Sequence, residues 1–314
     1  MDKELRSSER SGDALRHAAQ MRRLGRLEEC ADTLERAWLE GSDDCGNALF
    51  DLLDEWRTTN AVAVETRLDR LACKNNDRAR RTWEKWFPDL AKLLGVSDNI
   101  RGLRRTLIEQ VEKPWDSILI LRGASGVGKQ QAAHVFHRLT GGAEFRACTN
   151  FSGNDLPLGD PVPPDNGTYY VHAVGAGVWE TRCVQSCRER HTRLVVGYVP
   201  HAGEEEGGRR WESLHALDHV DYSIASLDRR REDLPLLIVK GFPETILTNP
   251  PPGLEQVKAI HVQPEAVVEL SRRSWAETNV RLLFTRLQNA AHRASRDSGN
   301  METLTICVQH LPPE

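Results

Sequence analysis

The chain has 314 residues, of which 39% are hydrophobic and 28% charged, with a net charge of −4 and a pI near 6.3. That length provides for about two domains, and the slightly acidic balance argues against a nucleic-acid-binding protein, in which a basic excess is the rule. No apolar run approaches the roughly 20 residues that span a bilayer, and the N-terminal MDKELRSSER lacks the apolar segment of a secretory signal, so a cytoplasmic protein with no membrane partner is expected.

The first 72 residues or so read as helices. From Ala18 to Trp38 ("AAQMRRLGRLEECADTLERAW") Ala, Leu and Cys recur at spacings of three and four. Leu24-Gly25, followed twelve positions on by the small Ala37, fits a tetratricopeptide-like hairpin. A small helical domain of no repeat class fits as well, because two hairpins fall short of the three or more repeats that usually stand alone. Gly41-Ser42-Asp43-Asp44 closes the first pair with turn chemistry, and a second pair is expected from Cys45 to Cys73. "KNNDRARR" (Lys74 to Arg81) reads as a linker or an exposed helix. The region carries no metal spacing and no catalytic constellation, and Trp38 and Trp56 suit a face that takes another protein's helix or tail.

From about Ser97 the rhythm becomes α/β. "NIRGLRRTLIEQVEK" is an amphipathic helix. "SILILRG" (Ser117 to Gly123) is a short apolar strand, as expected in a buried parallel sheet. "GTYYVHAV" (Gly167 to Val174) and "TRLVVGYV" (Thr192 to Val199) are two further strands, with a helix from about Val178 to His191 between them. From Arg229 on, the chain is expected to be helical.

"GASGVGKQ" has the spacing of a phosphate-binding loop. A strand feeds the glycine-rich turn and the turn opens the helix "KQQAAHVFHRLTG". In that setting the backbone N–H groups of Gly123, Ala124, Ser125, Gly126, Val127 and Gly128 form an anion nest, to which the helix dipole adds. Lys129 is placed to reach terminal phosphates. A hydroxyl residue usually follows the lysine to hold magnesium, but Gln130 stands there.

"GASGVGKQQAAHVFHRLTG" resembles the "GESGTGKELVARAIHRLS" of the AAA+ domain of bacterial enhancer-binding proteins, the activators of the nitrogen-type alternative sigma factor. Two more stretches agree in order. "LDRRREDLPLL" (Leu227 to Leu237) is similar to the family's "LRERREDIPLL" at the start of the helical lid. "SWAETNVRLLFTRLQNAAHRA" (Ser274 to Ala294) is similar to "PWPGNVRELRNVLERAV". The resemblance covers about residues 94 to 314. It implies an α/β P-loop NTPase fold with a helical lid, ATP or ADP as ligand, and Arg281 as the second sensor that reaches toward the γ-phosphate. That family has an acidic residue after the loop lysine, of which Gln130 is the neutral analogue.

The departures bear on activity. The family's "GGTLFLDEI" carries a magnesium-holding Asp and a water-polarising Glu, and the matching "NGTYYVHAV" has His172 and Ala173 in their places. A methyl group cannot orient water, and magnesium prefers oxygen to imidazole. The sigma-contacting "GAFTGA" loop is absent, the second insertion is cut short, Val199 stands at the first-sensor Asn, no "FRxDL" can be found in "WESLHALDHVDYS", and no helix-turn-helix follows the lid. The expected organisation is a helical domain over 1–90, an AAA+ core over 91–228 and a lid over 229–314. The expected function is a nucleotide-binding, non-hydrolysing regulator or scaffold with no catalytic and no metal-ligating residue, with magnesium left open as a companion of the nucleotide. It would act on a protein partner through the helical region, with no direct DNA contact and with self-association open. An active ATPase remodeller and an assembly module with an empty loop are the alternatives.

The smaller signals have plain readings. Cys183, Cys187 and His191 could share one helix face, as zinc ligands or, more simply, as a buried thiol face. The seven cysteines are scattered and odd in number, as free thiols are. "EEEGGRR" (Glu204 to Arg210) reads as a solvated loop and "RRRED" as surface ion pairing. His134 and His137 are core or surface residues of the phosphate-loop helix.

Overall fold

The structure, a computed structural model, describes residues 2–73, 76–151, 162–173, 179–200, 218–275, 279–297 and 302–313. The chain divides into two compact units, Met1–Trp83 and Glu84–Glu314. The expected core and lid lie within the second unit.

The first unit is helical: α1 (Asp2–Arg23), α2 (Leu27–Leu39), α3 (Asp43–Arg57), α4 (Ala61–Cys73) and α5 (Asp77–Trp86). Helix therefore begins well before residue 12, and the segment after Asn76 is neither linker nor fully exposed, since α5 buries Ala79 and Trp83. Ser42 caps α3 by accepting from the Cys45 N–H. The core is built on Leu49, Leu52, Leu53, Leu68 and Leu71. Helices α2 and α4 are joined by a buried ion network in which Arg67 donates to Glu35 (2.7 Å) and to Asp32 (2.6 Å), while Arg70 also reaches Glu35. Both tryptophans serve this core: Trp56 is buried and Trp38 packs edge-on against Phe50. A groove of about 420 Å³ lies between Leu15, Ala18, Arg22, Leu34 and Leu52.

The second unit opens with α6 (Asp98–Glu112), capped by Ser97. A five-stranded, fully parallel sheet follows, in the order β2-β3-β4-β1-β5. Its strands are β1 (Ile118–Arg122), β2 (Phe145–Phe151), β3 (Thr168–Ala173), β4 (Arg193–Tyr198) and β5 (His219–Ser223). Helix α7 (Lys129–Thr140) follows β1, and α8 (Trp179–Glu189) joins β3 to β4. The period-two alternation of a strand sorts side chains between the two faces. Ile118, Ile120, Tyr169, Val171, Leu194 and Val196 form one apolar layer with Cys183 and Cys187 of α8. Two of the strands, β2 and β5, lie outside the three expected ones. Helix α8 ends at Glu189, so His191 stands beyond it in a positive-φ turn, with its ring 4.7 Å from that of Trp115. Cys183 and Cys187 are buried and His191 is exposed, so the three do not share a face.

The lid gathers around a core of Phe242, Trp275, Leu283 and Leu287. It contains a π turn (Leu237–Gly241), α9 (Phe242–Thr248), α10 (Pro264–Arg272) and α11 (Asn279–Asp297). It is not wholly helical: β6 (Ala259–Val262) and β7 (Thr303–Ile306) pair as a small parallel sheet. The "RRRED" segment is not all surface either. Arg230 and Asp233 are buried and pair with each other, while Arg229, Arg231 and Glu232 stay exposed. The acidic loop Glu204 to Arg210, residues 152–161 of the stretch where the sigma-contacting loop was sought and most of "WESLHALDHVDYS" lie outside the described residues.

Candidate functional site: the loop after β1

The site is built where β1 ends. The loop from Gly123 to Gly128 needs its glycines, because Gly123, Gly126 and Gly128 all have positive φ (148°, 74° and 109°), a region that side-chain-bearing residues rarely adopt. Gly123 is also pressed by its neighbours: a Cβ there would fall 2.6 Å from the Ile224 carbonyl oxygen. Gly128 opens α7 with no side-chain cap. The first-turn N–H groups of that helix therefore point outward with the positive end of the helix dipole, as an anion site requires.

Lys129 is buried, and its Nζ donates to the carbonyl oxygens of Gly123 (2.6 Å) and Ala124 (2.8 Å). An ammonium has three donors, so one remains for a ligand. Burial, and secondarily the charge of Arg281, lower its pKa to about 8. His172, half-buried on β3, is also held below its usual value, by burial first and then by Lys129 and Arg281. Its Nδ1 lies 3.5 Å from the Tyr170 hydroxyl, whose own pKa burial raises while Arg281 opposes the rise. Lys129, His172 and Arg281 thus act on one another electrostatically, although they come from α7, β3 and α11. Gln130 is exposed on the first turn of α7. Val199 follows directly on β4. Ala173 closes β3, paired in register with Tyr198.

Three residues that the sequence reading did not assign to the site hold it in shape. Asn279 is buried, takes a left-handed backbone (φ 50°), accepts from the Leu227 N–H (2.6 Å) and donates to the Ser125 carbonyl (3.1 Å). It ties the loop to both ends of the lid, and it stands two positions before Arg281. Arg230 donates to the Val127 carbonyl (2.9 Å) and to the Ala225 carbonyl (3.1 Å). Asp233 holds Arg230 and accepts from Val96 N–H, Ser97 N–H and the Ser97 hydroxyl at 2.6 to 2.8 Å. Gly95 permits this approach, since a Cβ there would lie 2.9 Å from the carboxyl group. Beside the loop, between core and lid, opens a cleft of about 670 Å³ with an apolar wall that includes Leu93, Ile100, Leu103, Val127, Leu237 and Phe284. That volume and lining suit a planar, small-molecule group beside the anion nest.

Comparison with solved structures gives the same architecture. NtrX from Brucella abortus in complex with ADP superposes with a TM-score of 0.52 at 20% identity, over 78% of this chain and 60% of that one. A second NtrX structure gives 0.51 at 21%, over 78% and 62%, and the complex with ATP gives 0.50 at 19%, over 83% and 73%. The fold is that of an AAA+ P-loop NTPase. At these identities the likeness to NtrX carries the fold alone, and the chain spans about three fifths of the first NtrX chains it matches. No family model and no curated protein matches the sequence. Among the described residues no helix is long and apolar enough to cross a membrane, and no cluster of His, Cys, Asp and Glu is grouped to hold a metal.

The lowered Lys129 pKa has a testable sign. The folded value, about 8, lies below the ordinary lysine value of 10.5, so between those two pH values the unfolded chain binds the extra proton. The stability contribution of this lysine is therefore smallest below about pH 8 and rises as pH increases through that window. An anion on the loop favours the charged form, so affinity for inorganic phosphate is expected to fall as pH rises above about 8. Urea unfolding of the full chain and of Lys129→Ala across this range checks the first statement. Equal pH dependence in the two proteins would overturn it.

Proposed function

We propose that this chain is an AAA+-like regulatory or scaffold protein that binds ATP or ADP and does not hydrolyse it. The observation that carries the reading is the meeting of Lys129, Arg281 and the glycine loop beside an apolar cleft, with His172 and Ala173 where hydrolysis would need acids. The loop N–H groups and Lys129 would hold the phosphates, Arg281 would reach the last of them, and the cleft would take the base. That NtrX was crystallised with ADP and with ATP supports the ligand class. Gln130 would flank the phosphates without supplying a charge.

Output would pass to a protein partner through the helical unit, whose groove between α1, α2 and α3 is the open surface there. The domain limits 1–90, 91–228 and 229–314, a tetratricopeptide-like character for the helices, a cytoplasmic location and the absence of direct DNA contact belong to this same proposal. An active remodeller would need a base that no carboxylate near the loop, among the described residues, supplies. Phosphate release from ATP by the full chain is expected to equal that of Lys129→Ala. Release well above that control would overturn the non-hydrolysing reading, and no stabilisation by either nucleotide would overturn the binding itself.

A further inference from the structure

The fold brings magnesium to mind, and the donor set does not fit it. Magnesium takes hard oxygen ligands in octahedral geometry and is usually held by one or two carboxylates besides the phosphates. Among the described residues three nearby carboxylates are otherwise engaged, and Glu244 stands exposed on the lining of the cleft. Asp233 is consumed by Arg230, Ser97 and two N–H groups, Asp221 by Arg122, and Asp228 by Arg231, Ser274 and the Trp275 N–H. The hydroxyl that would follow the loop lysine is replaced by exposed Gln130. At the end of β3 stands the imidazole of His172.

The charges that act on the site are instead all of one sign. Lys129 feels Arg281, and His172 feels Lys129 and Arg281. Tyr170, the neutral group beside His172, feels Arg281 as well. No carboxylate among the described residues acts on any of them. Buried Lys129 stands at the uncapped N-terminus of α7, and His172 at the end of β3 and Arg281 on α11 are within electrostatic reach of it. Such a cluster repels itself and gains from a polyanion.

We infer that this site takes the free, metal-less nucleotide, with Lys129, Arg281 and His172 neutralising the polyphosphate in place of a magnesium ion. The inference rests on the nucleotide-binding reading above and extends it to the form of the ligand. A metal already on the phosphates cancels part of the charge that the three groups would meet, and it finds no carboxylate at the end of β3 to complete its shell. The imidazole would gain charge next to the phosphates, since a neighbouring anion favours the protonated form.

The test is ATP affinity of the full chain by calorimetry, once with excess EDTA and once with excess magnesium. Affinity in EDTA is expected to match or exceed that with magnesium by several-fold. His172→Asp, which restores a carboxylate at the end of β3, is expected to reverse the order, with magnesium tightening binding by about tenfold. His172→Asn, which adds no charge, is expected to weaken binding in EDTA and to leave binding with magnesium little changed. Wild-type affinity about tenfold weaker in EDTA than with magnesium would overturn the inference and leave nucleotide binding intact. Absence of binding in both conditions would overturn nucleotide binding and this inference together. The wild-type comparison decides the matter even if a variant fails to fold.

Discussion

Replacing Asp233 with alanine is expected to lower stability by about 3–5 kcal/mol, the cost of stranding one partner of a buried ion pair. The carboxyl is fully buried and accepts four hydrogen bonds, from Val96, Ser97 (twice) and Arg230. Its loss leaves three donors and a guanidinium without their acceptor inside the protein. Arg230 is itself held below its usual pKa by burial, against the pull of Asp233 first and of Glu232 after it. For a unit of this size, 2–4 °C of melting temperature per kcal/mol gives a fall of roughly 6–20 °C. Thermal unfolding of the full chain checks it, with Asp165→Ala, which breaks an exposed pair with Arg190, as a surface control. A loss below about 1 kcal/mol, the level of an exposed pair, would show that water enters the site and that the network is not sealed.

Lys129→Ala is expected to remove the stabilisation that ATP or ADP gives the wild type. For a ligand at ~100 times its dissociation constant, that stabilisation is about 2.7 kcal/mol. The basis is the position of the ammonium, with two donors fixed on the loop carbonyls of Gly123 and Ala124 and the third left over. The same substitution relieves the burial of a charge, so the ligand-free variant should be as stable as the wild type or slightly more stable at neutral pH. Loss of the ligand shift with unchanged or raised basal stability is therefore the expected pair of results. A full ligand shift in the variant would place the nucleotide elsewhere. Arg281→Ala should reduce the shift with ATP more than that with ADP if the exposed guanidinium reaches the last phosphate, and an equal loss for both would assign it to the inner phosphates.

The parts of this fold that could be read from the sequence are those whose surroundings are uniform. Strands β1 and β4 are buried along nearly their whole length, and their apolar runs, "ILIL" and "LVVGY", announce a central parallel strand. The two strands that escaped notice, β2 and β5, are the two edges of the same sheet. "FRACTNF" and "HVDYS" mix polar with apolar residues because edge strands have wetter surroundings, and the sequence pattern blurs accordingly. The pair β6 and β7 is only four residues each, too short to set a period apart from noise.

The candidate site divides in the same way. Its loop was legible because a positive-φ turn demands glycine, and its Arg281 because the motif around it is long. Arg230, Asp233 and Asn279 were not, since burial of a charged residue depends on the partner that folding brings to it. Nothing in "RRRED" distinguishes the arginine that faces inward from the two that face water. The spacing of Cys183, Cys187 and His191 misled for a local reason: the helix stops at Glu189 and the left-handed turn at His191 breaks the phase.

The position of β1 between β4 and β5 shapes how the chain must fold. Ile118 pairs with His219 and Leu119 with Val195, so the most apolar strand is made first and its neighbours some 75 to 100 residues later. At about 5–20 residues per second, "ILILR" waits several seconds on the ribosome with both edges open. Unpaired apolar strands of this kind are what chaperones and aggregates both recognise. The pairings close long loops, which slows folding in any protein dominated by distant contacts. Recovery from denaturant is thus expected to be slow and to fall as protein concentration rises, with the losses seeded by residues 118–122.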